Sequence, residues 1–178
     1  MGKIVSATYM TLDGDITNMH EWHGPYASKE AADAQIAASD ALIMGRKTYD
    51  SWSQYWPTDT SGFAGRMNSI DKYVVSSTVK DPSWTNTQVI GDDVVERIRA
   101  LKERTERDIL QYGFGDVTRL MLANGLLDEL RIWLHPVLSG KAAPDDLLFR
   151  EIGQQRFTLD GTDVHDSGLI ILSYSPAR

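Results

Sequence analysis

The segment Gly45-Arg46-Lys47-Thr48 combines a glycine, two basic side chains and a hydroxyl directly after an apolar stretch. The polar periodicity that follows it predicts a helix, so the segment lies where a strand gives way to a helix. The first turn of a helix offers backbone N–H groups without partners and the positive end of the helix dipole. We therefore interpret this turn as an anion-binding site to which Arg46 and Lys47 add charge.

Two later turns carry related chemistry. Ser76, Ser77 and Thr78 follow a short apolar run and present three hydroxyls. Gly113 and Gly115 follow another apolar run and precede a helical pattern. Glycines at such a turn let the backbone come close to a pyrophosphate and direct its N–H groups at it.

All three turns are predicted at the carboxyl ends of strands, the edge at which open α/β sheets bind ligands. Several anion-binding turns along one edge favour a ligand with several phosphates, and we predict a dinucleotide whose 2′-phosphate meets the basic and hydroxyl groups. The spacing is not that of the G-x-G-x-x-G fingerprint with an acidic residue about 20 positions later. The predicted cofactor-binding residues are Gly45, Arg46, Lys47, Thr48, Ser76, Ser77, Gly113, Phe114, Gly115, Asp116 and Thr118.

Strand and helix patterns alternate along the chain and predict how these turns are positioned. Apolar runs bounded by turn residues predict strands over residues 4–10, 41–44, 73–76, 87–90, 109–112, 130–137, 156–160 and 169–175. Helical apolar spacing predicts helices over residues 28–39, 47–53, 92–106 and 116–124, and the polar stretch 57–65 predicts a loop. The pattern indicates an α/β protein with a mostly parallel sheet and an antiparallel edge at its C-terminal end.

Composition excludes several classes of function. The chain has 178 residues and a net charge of −7 without a run of Lys or Arg, which argues against nucleic acid as the main partner. It has no cysteine, which rules out disulfides, thiolate chemistry and cysteine-bound zinc. No apolar run approaches the roughly 20 residues of a membrane span, so we expect a cytoplasmic protein without a membrane partner.

In combination these motifs resemble a known family. Residues 44–49, the run Ser76-Ser77 and the pattern Gly113-x-Gly115 are similar to the NADPH-binding signatures of dihydrofolate reductases. Residues 120–140 and 164–168 are similar to stand-alone relatives of the C-terminal reductase domain of the bifunctional riboflavin-biosynthesis deaminase/reductase. The resemblance covers nearly the whole chain.

The resemblance implies one three-layer dihydrofolate reductase-like domain over residues 1–178, with a central sheet of about eight strands. It also implies NADPH as the cofactor. Phosphate groups would be held by Arg46, Lys47 and Thr48, the 2′-phosphate by Ser76 and Ser77, and the pyrophosphate by Gly113 and Gly115. Asp13 would border the nicotinamide beside the substrate.

The carboxylate that binds the pteridine in dihydrofolate reductases has no counterpart at the matching position. Their Trp-x-x-Pro-x-Asp/Glu run is imitated by Trp22-His23-Gly24-Pro25, but the carboxylate position falls on Ala27. Glu30 and Asp33 lie within about two turns on the helix predicted next. We predict these two residues as the catalytic proton donors, with solvated helix positions as the alternative.

Histidine and tryptophan residues have less specific patterns. His20, Glu21 and His23 lack His-Glu-x-x-His spacing, so we predict a solvent-facing loop without a bound metal. His135, before Pro136 in a predicted strand, is interpreted as a packed core histidine rather than an acid or base.

Large aromatic rings give a second group of candidates. Trp22 lies in a loop that does not call for a large ring, and we predict it as a substrate-binding lid residue. Trp52 and Trp56, one turn apart, either line a pocket for a flat heterocycle or pack against the sheet.

We therefore predict an NADPH-dependent reductase that transfers a hydride to a small pterin-like, pyrimidine-like or carbonyl substrate. A non-catalytic protein that binds NADPH or another nucleotide is one alternative, and an aminopyrimidine reductase of the riboflavin pathway is another. We also predict a homodimer, because residues 130–137 are strongly apolar for a strand expected near a sheet edge.

Overall fold

A computed structural model describes residues 1–148 and 153–177 of the chain. Its strands are β1 (Ile4–Thr11), β2 (Ser39–Gly45), β3 (Asp71–Val75), β4 (Thr87–Ile90), β5 (Asp108–Tyr112), β6 (Glu129–His135), β7 (Phe157–Val164) and β8 (Ile170–Pro176). Its helices are α1 (Lys29–Ala37), α2 (Arg46–Tyr55), α3 (Gly62–Ser69), α4 (Val94–Arg104) and α5 (Asp116–Ala123).

The strands form one eight-stranded sheet in the order β4-β3-β2-β5-β1-β6-β8-β7. Neighbours from β4 through β6 pair in parallel. The last two strands join antiparallel, β8 against β6 and β7 against β8. The predicted α/β class and the antiparallel C-terminal edge are both confirmed.

Helices cover both faces of the sheet because successive strand side chains point to opposite sides. On one face, α4 and α5 bury Ile98, Leu101 and Met121 against the sheet. On the other face, α2 and α3 pack Tyr49 and Met67 over one cluster. A separate small cluster of Trp133, Leu169 and Ile171 lies under α1 on the same side. The second face therefore has two packed regions.

The predicted loop over residues 57–65 is wrong in its second half, where α3 begins. Ser61 caps this helix, since its Oγ accepts a hydrogen bond from the Ala64 N–H at 3.2 Å. Two glycines in a short helix give little intrinsic helical propensity. Burial of Ala64 and Met67 stabilises the helix instead, and that burial is invisible in local sequence.

Strand β6 does not lie near a sheet edge, so that premise of the dimer prediction is wrong. It pairs with β1 on one side and β8 on the other. Its apolar residues Leu130 and Ile132 are buried in the main core. Their apolar character is explained by packing within the chain.

Lys72, on β3, is fully buried and fastens α3 to the sheet. Its Nζ donates hydrogen bonds to the carbonyls of Met67, Asn68 and Ile70 at 3.0, 3.0 and 2.7 Å. Carbonyls at the end of a helix lack helical partners, so an ammonium group satisfies them well. Burial nevertheless lowers the pKa of Lys72 to about 8. Lys72 thus fixes the strand that leads to Ser76.

Replacing this lysine tests the anchor. Lys72→Met keeps the aliphatic stem but leaves buried carbonyls without a donor, which costs about 1–3 kcal/mol of unfolding free energy. Urea denaturation followed by tryptophan fluorescence measures the change. Lys3→Met is the control, since the Lys3 side chain is exposed. Equal unfolding free energies for the two variants would contradict the anchoring role.

Candidate active site

Strands β3, β2 and β5 are neighbours and run parallel, so their carboxyl ends lie at one edge of the sheet. Gly45 ends β2 and caps α2. Ser76 follows β3, and Gly113 follows β5. The three turns that were predicted separately from sequence are therefore brought together along one edge.

A guanidinium and two hydroxyls meet at the ends of β2 and β3. Arg46 donates from Nη1 to Thr78 Oγ1 at 2.9 Å, and Thr78 Oγ1 lies 3.2 Å from Ser76 Oγ. Arg46 also donates from Nε to the Asp50 carboxylate at 3.1 Å, and its side chain remains 57% exposed. This group has the charge and hydrogen-bonding capacity to bind a phosphate from solvent.

Three further residues predicted to bind the cofactor, Lys47, Thr48 and Ser77, are at least partly accessible to solvent. Lys47 and Ser77 are exposed, and Thr48 is half-buried at the start of α2. Within residues 1–148 and 153–177, none of these three side chains has a hydrogen-bond partner among protein groups. They add an ammonium and two hydroxyls beside the Arg46 group.

The turn after β5 leaves room for a ligand against the backbone. Gly113 has φ +86°, a conformation that favours glycine, and its N–H donates to the Ala7 carbonyl at 2.8 Å. Its own carbonyl accepts from Ser6 Oγ at 2.9 Å. A Cβ atom placed on Gly113 or on Gly115 would meet no atom within 4 Å. The held backbone thus faces open space.

Three predicted cofactor residues in this turn have other contacts. Phe114 is buried in the core on the α4 and α5 side. Thr118 is buried, donates from Oγ1 to Gln111 Oε1 at 2.6 Å and accepts from the Gly115 N–H at 3.3 Å. Asp116 is exposed and pairs with Arg119 at 2.9 Å. Phe114 and Thr118 shape the turn, and a direct cofactor contact for the three stays a prediction.

Aromatic side chains lie on the second face of the sheet, close to this turn. Tyr112 directly precedes Gly113. The centroid of the Trp52 ring, on α2, lies 5.2 Å from the centroid of the Tyr112 ring. Trp52 also contacts Trp56 edge-on at 5.9 Å. Tyr9 on β1 lies two residues beyond Ala7, which pairs with Tyr112. These rings offer apolar faces to a flat ligand.

Tyr112 and Gln35 place enclosed polar atoms in this region. Gln35 forms a hydrogen bond with the Tyr112 hydroxyl, and Gln35 Oε1 accepts from Arg131 Nη1 at 3.1 Å. Burial raises the pKa of Tyr112 to about 12, although the hydrogen bond from Gln35 tends to lower it, so its hydroxyl stays protonated. On α1 the polar Gln35 is buried while the apolar Ala37 is exposed, which the helical pattern of the sequence does not indicate.

His23 and His135 form a hydrogen-bonded pair that sequence reasoning missed. His23 Nδ1 lies 2.9 Å from His135 Nε2, although 112 residues separate them. The His23 ring also stacks on Tyr9 at 4.7 Å. The prediction that His23 faces solvent is therefore wrong, whereas His20 and Glu21 are exposed. His135 is fully buried, which agrees with its interpretation as a packed histidine.

Electrostatics around the pair favour neutral rings. Burial lowers the pKa of His135, and burial together with the neighbouring His135 lowers the pKa of His23. No group of three or more metal-ligating side chains with the geometry of a metal site occurs in the part of the chain that the structure describes.

The two residues predicted to contact substrate lie in the loop after β1. Asp13 accepts hydrogen bonds from the Ser139 N–H at 3.0 Å and the Gly140 N–H at 2.9 Å, and from the Thr11 hydroxyl. These bonds hold its pKa well below the usual range, the Thr11 contact most of all. Trp22 is buried, with its Nε1 donating to the Thr17 carbonyl at 3.2 Å. Substrate contact by either residue stays a prediction.

The predicted proton donors lie on α1. Glu30 is exposed to solvent. Asp33 is half-buried and forms an ion pair with Lys29 one turn away. Ala31 and Ala32, between them, are the α1 residues that pack against the small cluster around Trp133. A catalytic role for Glu30 or Asp33 stays a prediction.

Asp13 connects the loop after β1 to the loop after β6, and its removal should loosen both. In Asp13→Ala, the Ser139 and Gly140 amides lose their acceptor, so we expect their hydrogen exchange at pH 7 to accelerate. Amide exchange followed by mass spectrometry of the peptide over residues 137–141 measures this. Asp59→Ala, which removes an acceptor of the Ser61 amide elsewhere, is the control. Unchanged exchange over residues 137–141 would contradict the bridging role.

In residues 1–148 and 153–177, no helix is long and apolar enough to cross a membrane.

Comparison with known proteins supports the fold. The chain is 30% identical over 141 residues to the uncharacterized protein YyaP of Bacillus subtilis (strain 168), covering 76% of this chain and 73% of that protein.

Solved structures give the same fold at lower identity. A putative riboflavin biosynthesis protein from Shewanella sp. PV-4 matches with a TM-score of 0.75 and 22% identity, over 99% of each chain. A diaminohydroxyphosphoribosylaminopyrimidine deaminase/5-amino-6-(5-phosphoribosylamino)uracil reductase from Thermotoga maritima matches with a TM-score of 0.68 and 16% identity, over 99% of this chain and 57% of that one. A dihydrofolate reductase from Enterococcus faecalis, in complex with NADP(H), matches with a TM-score of 0.61 and 16% identity, over 99% and 97%.

A family model supplies the assignment. The model of the RibD C-terminal domain matches residues 2–171, almost the entire sequence. The solved structures above are similar to this chain over almost its whole length. The resemblance inferred from the turn motifs is therefore confirmed, and the chain belongs to the RibD C-terminal domain family.

Proposed function

We propose that this protein is an NADPH-dependent reductase that transfers a hydride to the carbon of a C=N or C=O group in a small heterocyclic or carbonyl substrate. One observation carries the proposal: three parallel neighbouring strands end in the Arg46, Ser76 and Thr78 group and in the open turn at Gly113. A reductase from Thermotoga maritima and a dihydrofolate reductase in complex with NADP(H) share the fold.

The residues at this edge fit the chemistry of NADPH. Arg46, Ser76 and Thr78 would hold the 2′-phosphate, since a guanidinium and hydroxyls suit its three oxygens. The N–H groups at the start of α2 and the open backbone at Gly113 and Gly115 would meet the pyrophosphate. Lys47 would add charge to the same edge.

The aromatic side chains beside the turn would hold the substrate. Tyr9, Tyr112 and Trp52 offer ring faces, and the Tyr112 hydroxyl and Gln35 Nε2 would offer hydrogen-bond donors to an acceptor on the ligand. A flat heterocycle with acceptor atoms at its rim, of the pterin or pyrimidine type, satisfies both features. An aminopyrimidine of the riboflavin pathway belongs to this class.

Bound NADPH supplies the hydride, and the chain supplies orientation and a dry surface for the transfer. Stacking on Tyr9 and Trp52 would place the electrophilic carbon against the cofactor. The Tyr112 hydroxyl would polarise the substrate by hydrogen bonding without losing its own proton, because burial raises the pKa of Tyr112 to about 12.

The cofactor assignment predicts selectivity for the 2′-phosphate. NADPH should bind at least about tenfold tighter than NADH, which corresponds to about 1.4 kcal/mol. Arg46→Ala should remove most of this preference and raise the KM for NADPH with little change in kcat, because a phosphate contact is equal in the ground and transition states. Fluorescence titration with NADPH and with NADH measures the two affinities, and the rate of NADPH oxidation gives KM and kcat. Arg97→Ala, another exposed arginine paired with an aspartate, is the control.

Equal affinities of the unmodified protein for NADPH and NADH would overturn the cofactor assignment. Activity is tested by NADPH oxidation with dihydrofolate, dihydropterins, aminopyrimidines and small aldehydes. Tight NADPH binding without oxidation by any of them would favour the alternative of a non-catalytic nucleotide-binding protein.

We also propose a homodimer whose two sites work independently. β7 forms an open edge of the sheet, and Leu159 and Val164 on it are 51% and 70% exposed. Exposed apolar residues on an unpaired strand favour association with a second copy. Light scattering at micromolar concentration should give twice the 19.9 kDa chain mass, and the mass of a single chain would reject the dimer.

A further inference from the structure

We propose that His23 is the proton donor of the reduction and that His135 is the positioning residue that fixes its tautomer. The inference rests on the proposed reductase function and names a residue for the step that hydride transfer leaves unfinished. It stands on the hydrogen-bonded chain that joins the two rings to the backbone and on their position beside Tyr9.

The hydrogen bonds determine which nitrogen carries each proton. His135 Nδ1 lies 2.8 Å from the Trp133 carbonyl, which can only accept, so Nδ1 carries the hydrogen. In the neutral His135 ring, Nε2 is then an acceptor, and it lies 2.9 Å from His23 Nδ1. His23 Nδ1 therefore donates, and His23 Nε2 is left as the free end of the chain.

That free end has no partner within residues 1–148 and 153–177, and His23 is half-buried while His135 is fully buried. At one end of the pair, His135 Nδ1 is hydrogen-bonded to the buried Trp133 carbonyl, and at the other end His23 Nε2 is open to a ligand. A reactive end held by a buried partner is the arrangement that proton transfer to a ligand requires.

The position of His23 relates it to the predicted substrate surface. Its ring stacks on Tyr9 at 4.7 Å with the planes 12° apart. Tyr9 is two residues from Ala7, which pairs with Tyr112 next to the Gly113 turn. His23 thus lies on the same face of the sheet as Tyr9 and Tyr112, on the side of Tyr9 away from Tyr112 along the strand direction.

The groups that face the pair from the surrounding elements are mostly uncharged. They are Tyr9 from β1, Trp133 from β6, and Trp22 and Tyr26 from the loop that carries His23. From α1, Ala31 and Ala32 pack beside Tyr9 and Tyr26. The carboxylates of the same loop have other partners: Glu21 pairs with Lys141 at 3.3 Å, Asp13 accepts from the Ser139 N–H, and Asp15 accepts from the Thr17 N–H. No carboxylate in the described ranges forms an ion pair with either ring.

The proton step balances with one hydride and one proton. The hydride of NADPH forms a C–H bond at the substrate carbon, and the electron pair of the C=N or C=O bond moves to nitrogen or oxygen. That atom takes the proton from Nε2–H of protonated His23, whose N–H bond breaks, giving an N–H or O–H product and NADP⁺. Solvent then returns a proton to His23 Nε2.

The sign of the pH dependence follows from the donor form. Only the protonated pair donates, and burial holds the pKa of His23 below its ordinary value. We therefore expect kcat/KM to be constant in acid and to fall about tenfold per pH unit once the pH rises above that lowered pKa. The fall in kcat/KM should begin below about pH 6.5, which is the ordinary pKa of histidine.

The experiment measures the pH profile of the best substrate from the NADPH-oxidation panel in matched variants. His23→Gln should lower kcat/KM at acidic pH by about 10²–10⁴ and remove the fall, because its side chain cannot deliver a proton. Its affinity for NADPH should be unchanged. His20→Gln, an exposed histidine of the same loop, should behave as the unmodified protein. Glu30→Gln and Asp33→Asn measure the alternative, in which a carboxylate of α1 is the proton donor.

His135 is tested by a change that a merely structural role would not produce. In His135→Gln the amide can replace both hydrogen bonds, so activity should be retained and the fall should move to higher pH, since the neighbouring ring no longer opposes charge on His23. His135→Leu has no atom that can accept from His23 Nδ1, so kcat/KM should drop and the fall with pH should disappear. ¹⁵N NMR should find His23 in the Nδ1–H tautomer, and thermal melting confirms that each variant is folded.

An unchanged rate and pH profile in His23→Gln would overturn the inference and leave the reductase function standing. So would an Nε2–H tautomer of His23, or a rate loss confined to Glu30→Gln or Asp33→Asn. Absence of NADPH oxidation with the entire panel would overturn the reductase function and the donor role together.

Discussion

Parallel pairing of β3, β2, β5 and β1 is the constraint on which the candidate site depends. Parallel strands must be joined by crossovers, so each strand runs toward the same edge and each following helix begins there. Hydroxyls, basic groups and glycines that are 30 or more residues apart in sequence therefore meet as one surface. β8 runs against the parallel strands and β7 runs with them, so the turn between β7 and β8 also lies at that edge, where Ser167 Oγ donates to the Tyr26 carbonyl at 3.4 Å.

The strands and the anion-binding turns could be predicted because their signals are local. Apolar runs ending in Gly45 or Gly113 carry both the strand and its turn in a few residues. Helix α3 could not be predicted, since it is stabilised by the burial of Met67 and by Lys72 from the next strand. The same limit hid the contact between His23 and His135, which exists only after β6 and the first loop have packed together.

The aromatic region illustrates how a ligand surface differs from a core. A core residue such as Trp84 has its polar atom satisfied, here by Asn68 at 2.7 Å. Tyr112 and Gln35 are enclosed and hydrogen-bond with each other, and Gln35 also accepts from Arg131 at 3.1 Å. A substrate with acceptor atoms would exchange hydrogen bonds with these groups, so they favour polar rims rather than a particular size.

The ion pair between Arg46 and Asp50 has a consequence for how an anion arrives. The cation is already paired with a carboxylate, so an arriving phosphate competes with Asp50, and its binding releases few counterions. Equilibrium affinity should then vary weakly with ionic strength. The encounter rate behaves differently, because a chain with net charge −7 repels an anion at long range and dissolved salt screens that repulsion. Added salt therefore accelerates arrival at a site whose final affinity it barely alters.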